Sequence, residues 1–312
     1  MSAVERIIRG RSKDLGGFSV ARVLPFAKRR QIGPFVFFDE MGPARFNPGT
    51  GIDVRPHPHI GLSTVTYLFD GELDHADTVG VHRTITPGAV NLLTAGRGVV
   101  HSERTGPKAR KAGHDLHGIQ VWLALPTGSE EIDPGFEHHP ADALPEIETG
   151  GARVRLIMGS AWGETSPVTA YLPTFYAHAE IPAGAAVEMP SGYPELGVYV
   201  VSGQVEIGGE PVGAGCMAAL APGETGVVRA RADSRVMLLG GENPGMRVME
   251  WNFVSSSKAR LEQAKSDWRA SIAAGFDGAA FALPEGENEY IPLPGDPEPG
   301  QPPKRTQDAP TS

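Results

Sequence analysis

The chain reads as all-β: two consecutive small sandwiches or barrels, with a short helix near the C-terminus. Three observations carry that reading. Short β-branched and aromatic runs recur through both halves, each bounded by Gly, Pro or Asp-Gly turn signals. The 40 glycines and 28 prolines among 312 residues suit many tight turns and oppose long helices. The strand-and-turn pattern of the first half also returns in the second at an offset of roughly 125–132 residues, which suggests an internal duplication.

In the first half, Phe35-Val36-Phe37-Phe38-Asp39 lies between Gly33-Pro34 and Gly42-Pro43 as an apolar strand. Residues 63–69 alternate small or polar with apolar side chains and end at Asp70-Gly71, a hairpin signal. Val90-Asn91-Leu92-Leu93 follows the Pro87-Gly88 turn, 99–103 follows a glycine-flanked Arg97, and 119–125 closes the series at Pro126. No helix pattern interrupts them, so these strands must pack sheet on sheet. The first unit is expected over 1–136. An acidic, unpatterned stretch at 137–151 is read as the linker.

The second unit is expected over 152–292. Its strands begin near Val154 and centre on Gly197-Val198-Tyr199-Val200-Val201, a Ser202-Gly203 turn and 204–207, with further strands at 217–220 and 235–239. Ser255-Ser256-Ser257 offers N-caps for a helix at about 256–274. Leu261, Ala264, Trp268 and Ile272 give that helix one apolar face, and Gly275 stops it. Residues 293–312 are Pro, Gly and charge, and are expected to be disordered.

Bulk properties exclude several classes. Net charge is −9 with no long basic run, so direct nucleic-acid binding is not expected. Cys216 is the single cysteine, which forbids an internal disulfide and fits a reducing compartment. No run approaches the roughly 18 apolar residues of a membrane span. The first residues lack the apolar core of a signal peptide, so a cytoplasmic location is expected.

Two short motifs carry chemistry. In Pro56-His57-Pro58-His59 and His101-Ser102-Glu103, possible ligands stand at i and i+2, on one face of a strand. Two such strands brought together offer three imidazoles and a carboxylate to one divalent transition metal, with coordination positions left open. Pro56 and Pro58 stiffen the first motif, and nine of the ten histidines precede His178. The other histidines have plainer readings. His75 and His82 belong to hairpin loops, His114 and His117 lack a cysteine partner, and His138-His139 falls in the linker. Gln120 and Trp122 alternate on one strand and either could face the cavity, with core packing the plainer role for Trp122.

At these residues the chain resembles the cupins, and within them the pirin family of two-domain cupins. His57 and His59 match the cupin histidine pair, Gly71 its closing glycine, and His101 the histidine of the second motif. Where the common cupin pattern has glutamate, Ser63 or Thr64 stands. Glu103 replaces it, a relocation that pirins show. Arg55-Pro56-His57-Pro58-His59-Ile60-Gly61, Thr94-Ala95-Gly96-Arg97-Gly98 and Trp251-Asn252-Phe253-Val254-Ser255-Ser256-Ser257 also look like pirin segments. The resemblance implies two tandem cupin domains and one metal site made of His57, His59, His101 and Glu103. In the second domain Met189 and Ser191 take the places of His57 and His59, and Gly226 and Val228 those of His101 and Glu103. A metal-free second cupin is therefore expected.

For activity, the resemblance implies a mononuclear iron site. Quercetin 2,3-dioxygenase-type ring cleavage of a flavonol or related aromatic enol with O2 would follow, with loss of carbon monoxide. Fe(II) is the expected ion, with Ni, Co, Mn and Zn open to the same ligands. Glu103 is assigned a second role as base for the flavonol proton, although a tightly held ligand makes a poor base. Two alternatives stay open: a metal-dependent regulatory protein that binds a transcription factor or metabolic enzyme, and a structural zinc site.

Overall fold

The computed structural model describes residues 3–14 and 18–299. It shows two tandem cupin sandwiches, each a large sheet facing a four-stranded one, and one long helix, Lys258–Ala273. Among the described residues no helix is long and apolar enough to cross a membrane. The first large sheet runs, edge to edge, Gly135–His139, Val90–Thr94, Leu62–Asp70, His114–Ala124, Phe35–Phe46, Ser19–Leu24 and Arg11–Asp14. The second runs Val4–Arg9, Cys216–Leu220, Glu195–Ser202, Ser234–Gly241, Thr174–Ile181, Ala152–Ala161 and Glu146–Thr149. The orders correspond place by place. So do the small sheets: Asp53–His59, Val99–Arg104, Leu73–Asp77, His82–Ile85 against Ala186–Glu188, Val227–Ala230, Gln204–Ile207, Glu210–Gly213.

The chain does not divide cleanly between the sandwiches. Val4–Arg9, from the beginning of the chain, pairs with Cys216–Leu220 and forms the edge of the second large sheet. The stretch expected as a linker contains most of Gly135–His139, which pairs with Val90–Thr94, and all of Glu146–Thr149. Edge strands keep polar, half-exposed side chains, so hydrophobic alternation does not mark them. His138 and His139 accordingly lie on a strand, with His138 Nδ1 2.7 Å from Asn91 Oδ1 and His139 Nε2 3.0 Å from Glu137.

The two large sheets face each other across the largest apolar cluster, which joins Phe35, Phe38, Val65, Tyr67 and Val121 to Tyr176, Tyr199, Met237 and Leu239. Polar pairs pin this interface. The Tyr199 hydroxyl donates to Glu40, whose other oxygen lies 2.9 Å from His117 Nε2. Inside the second sandwich the filling is apolar: Val187, Met189, Val198, Val205, Ile207, Val228 and Leu238. Inside the first, the apolar residues form two separate clusters, around Ile52, Leu68 and Leu116, and around Val36, Leu93 and Trp122.

The helix follows the second sandwich in sequence yet packs on the first. Ser257 caps it by accepting from Arg260 N, and Leu261, Ala264 and Trp268 bury against Ile60, Val100, Phe253 and Phe281. Val100 alternates with His101, so the helix covers the side of the small sheet opposite the histidines. The segment after it continues over the same strands. Ile291 N donates to Pro56 O at 2.8 Å, and Arg104 pairs with Glu287 and Glu289 at 2.7 and 2.8 Å. The expected tail begins in ordered contact: Leu293 is buried and Asp296 pairs with Arg269. Residues 300–312 lie outside the described residues.

One crossing is sterically exacting. Val254 N donates to Ile60 O at 3.2 Å, and Gly61 beside it has φ +67° with the Val254 carbonyl where a Cβ would stand. Gly61→Ala should therefore destabilise the protein by about 1–3 kcal/mol or more. Urea unfolding measures this, and an unchanged midpoint would contradict the close approach.

Candidate metal centre

Three neighbouring strands aim their histidines at one volume. Asp53–His59 and Val99–Arg104 pair antiparallel with His57 opposite His101, and the register shifts between His101 and Glu103. On the other side of Val99–Arg104, Leu73–Asp77 sets Asp77 opposite His101 and His75 opposite Glu103. Alternation along each strand therefore puts His57, His59, His75, Asp77, His101 and Glu103 on the inner face. Asp53–His59 is the edge of its sheet, so Pro56 and Pro58 cost no ladder hydrogen bond between strands.

His57, His59 and His101 converge. One ring nitrogen of each lies within 4.8 Å of the other two, and the ring centroids are 4.4–5.0 Å apart. His57 Nδ1 is 2.9 Å from Arg55 O, and His59 Nδ1 is 2.9 Å from Asn252 O. A carbonyl only accepts, so both Nδ1 atoms carry hydrogen and both Nε2 lone pairs are free for a cation. Trp251, just before Asn252, takes a left-handed conformation, φ 55°. Among the described residues His101 has no carbonyl partner. Its Nε2 is 3.0 Å from His59 Nε2, and its Nδ1 is 3.5 Å from His75 Nδ1.

All three imidazoles are buried, His59 and His101 to 1 % exposure. Burial lowers the pKa of His57 and drives those of His59 and His101 well below the ordinary histidine value, with the neighbouring imidazoles adding to the effect on the latter two. Neutral imidazoles are the form that binds a metal. The donor set thus fits a first-row divalent ion.

Glu103 is also buried, but its carboxylate turns toward the large sheet. It accepts from Gln120 Nε2 at 2.8 and 3.0 Å and from Thr66 Oγ1 at 3.4 Å. Its oxygens group with His101 and His75 rather than with the complete imidazole trio. Gln120 therefore faces the site. Trp122 does too while packing in the core: it stacks on Phe37 at 4.0 Å and stands edge-on to His59 at 5.0 Å.

Histidine 75 corrects the sequence reading. It is not on a hairpin tip but on a strand, 6 % exposed and stacked on Phe136 at 4.7 Å. The available signal was His75-x-Asp77, the same i, i+2 spacing that marks the ligand strands. His82 is exposed on the following strand. His114 is a packing residue, stacked on Phe46 at 4.9 Å. In the second sandwich Met189 and Val228 are buried in the apolar core, and both possible metal groupings found among the described residues lie in the first.

A family model described as Pirin matches residues 17–123, and one described as Pirin C-terminal cupin domain matches 176–273. A pirin-like protein of Caulobacter vibrioides is 50 % identical over 295 residues, spanning 93 % of this chain and 99 % of that one. A Pseudomonas aeruginosa protein, provisionally named a quercetin 2,3-dioxygenase, is 37 % identical over 268 residues, or 85 % of this chain and 83 % of its own. The crystal structure of a quercetin 2,3-dioxygenase from Acinetobacter baumannii matches with TM-score 0.84 at 31 % identity, covering 94 % of this chain and 95 % of that one.

Burial of neutral histidines sets a pH dependence. His57, His59 and His101 have lowered pKa values, and burial together with Arg235 takes His178 to about 3. In the unfolded chain these groups protonate near pH 6.5, so unfolding takes up protons below that pH. Stability of the metal-free protein should be complete above about pH 6.5 and fall on acidification, by up to about 1.4 kcal/mol per pH unit for each histidine. Urea titrations at pH 7.5 and 5.5 test this. A stability that is flat or rises toward pH 5.5 would contradict it.

Proposed function

The chain belongs to the pirin family, and on that premise we propose that it is a mononuclear metal oxidoreductase that opens the ring of a flavonol or related aromatic enol with O2. The observation that carries this reading is the trio of neutral, buried imidazoles, two of them with Nε2 freed by a carbonyl on Nδ1. The names borne by the Pseudomonas and Acinetobacter relatives support the substrate class. His57, His59 and His101 would hold the ion through nitrogen and Glu103 through its carboxylate. Fe(II) is the ion proposed, and Ni, Co, Mn and Zn suit the same donors.

Fe(II) held by these residues would supply Lewis acidity toward an enol oxygen and the redox chemistry that O2 requires. The chain's residues do the rest. Three neutral imidazoles add no charge, so Glu103 alone reduces the dication to about +1, a charge that still favours an oxyanion substrate. Gln120 holds both carboxylate oxygens and so sets where Glu103 points. One of those oxygens is the acceptor for the hydroxyl proton of the incoming enol. The stacked pair Phe37 and Trp122 packs the core directly beside His59 and fixes that side of the site.

Anaerobic loading with Fe(II), followed by quercetin and air, should give oxygen uptake and carbon monoxide release. His101→Ala should lose most of the iron. Glu103→Gln, which keeps shape and removes charge, should lower turnover at full iron occupancy by roughly 10²-fold or more. A fully iron-loaded protein that neither consumes oxygen nor releases carbon monoxide would refute the dioxygenase reading and favour a metal-dependent binding role.

A further inference from the structure

His101 differs from the other two histidines of the trio in what stands behind it. His57 and His59 rest on backbone carbonyls, which accept from Nδ1 and hold one tautomer. Behind His101 Nδ1 is another imidazole, that of His75, at 3.5 Å, the long end of hydrogen-bonding range. His75 is itself held from behind. Its Nε2 lies 2.8 Å from Asp77 Oδ2, and Asp77 Oδ1 accepts from Val79 N at 2.9 Å and Val81 N at 3.1 Å. Both side chains are buried, so this pair stands in a low-dielectric setting where hydrogen-bond direction is enforced.

The direction follows from donors and acceptors. The Asp77 carboxylate accepts, so His75 carries its hydrogen on Nε2 and presents a lone pair at Nδ1. On the far side of His101, His59 has its hydrogen on Nδ1 and presents a lone pair at Nε2, 3.0 Å from His101 Nε2. His101 thus sits between two acceptors with one hydrogen. In the metal-free protein the shorter contact takes it, and Nε2–H of His101 donates to His59. When Nε2 is given to a cation, that hydrogen must move to Nδ1, where His75 Nδ1 is the acceptor within hydrogen-bond distance among the described residues. The neutral ring keeps one hydrogen throughout, so no net proton is gained or lost.

We propose that His75, backed by Asp77, is the acceptor that lets His101 change tautomer and so positions it for the metal. This inference rests on the reading that His57, His59 and His101 hold the ion. His75 is a positioning residue and touches neither metal nor substrate. Partners of this kind commonly tune metal affinity by 10–100-fold.

The test uses Co(II) as probe and the full chain. Absorbance titration should show His75→Leu binding Co(II) about 10–100-fold more weakly than the parent. His75→Asn, whose Oδ1 stands near the place of Nδ1, should recover most of that loss, and Asp77→Asn should weaken binding in the same direction as His75→Leu. In the Zn(II)-loaded parent with 15N-labelled histidine, a slowly exchanging Nδ1–H at His101 is expected. This arm stands even where a variant fails to fold. Parent-like affinity in His75→Leu, or equal losses in His75→Leu and His75→Asn, would overturn the proposal, as would a rapidly exchanging Nδ1–H at His101. A parent that binds no Co(II) at all would overturn the metal reading and this inference with it, an outcome distinct from a parent that binds and a His75→Leu that binds equally well.

Discussion

Three imidazoles buried side by side are the constraint on which the rest of this structure depends. A ring nitrogen removed from water needs a partner, and each unpaired one costs about 1–3 kcal/mol. The partners are drawn from far along the chain. His57 uses the carbonyl of Arg55, two residues away, but His59 uses that of Asn252, from the other end of the sequence. Supplying Asn252 requires the chain to return to the first sandwich after completing the second. The buried pair of Arg247 and Glu130 anchors that return, with Glu130 also accepting from Ser255 and Ser256. The left-handed Trp251, the absence of a side chain at Gly61 and the helix over Ile60 and Val100 follow from the same crossing.

The duplication shows what this arrangement costs and what replaces it. Both sandwiches have the same strand order, so backbone topology is not what makes a site. In the second, Met189 and Val228 complete an apolar interior that needs no polar partners. Burying such side chains is worth about 1.5–3 kcal/mol each. The first sandwich gives up that filling for imidazoles, a carboxylate and the groups that satisfy them. It is fastened on its outer side by the helix and on its large sheet by the second sandwich. The apolar half thus serves as a platform for the polar half.

Much of this was legible in sequence, for local reasons. Histidines at i and i+2 on apolar strands, turns marked by Asp70-Gly71 and Pro87-Gly88, and the Leu261–Ala264–Trp268 face all depend on neighbours within a few residues. The elements that escaped depend on distant ones. Val4–Arg9 and Gly135–His139 are edge strands that mix polar and apolar residues without clean alternation, and their pairing partners make them strands. His75 looked like turn polarity because its meaning comes from the strand beside it, where Glu103 and His101 lie opposite His75 and Asp77. Glu103 was read as a fourth ligand beside the trio. The structure adds that its carboxylate accepts from Gln120, a pairing between facing sheets that no spacing encodes.

The central claim is that one metal is held in the first sandwich by Nε2 of His57, His59 and His101. Anomalous diffraction at the metal edge from Fe(II)-reconstituted crystals tests it most directly. The account predicts a single strong peak about 2.0–2.2 Å from each of those three nitrogens, with none in the second sandwich. A peak bound instead by Nδ1 of His101 and His75, or one outside the first sandwich, would contradict it.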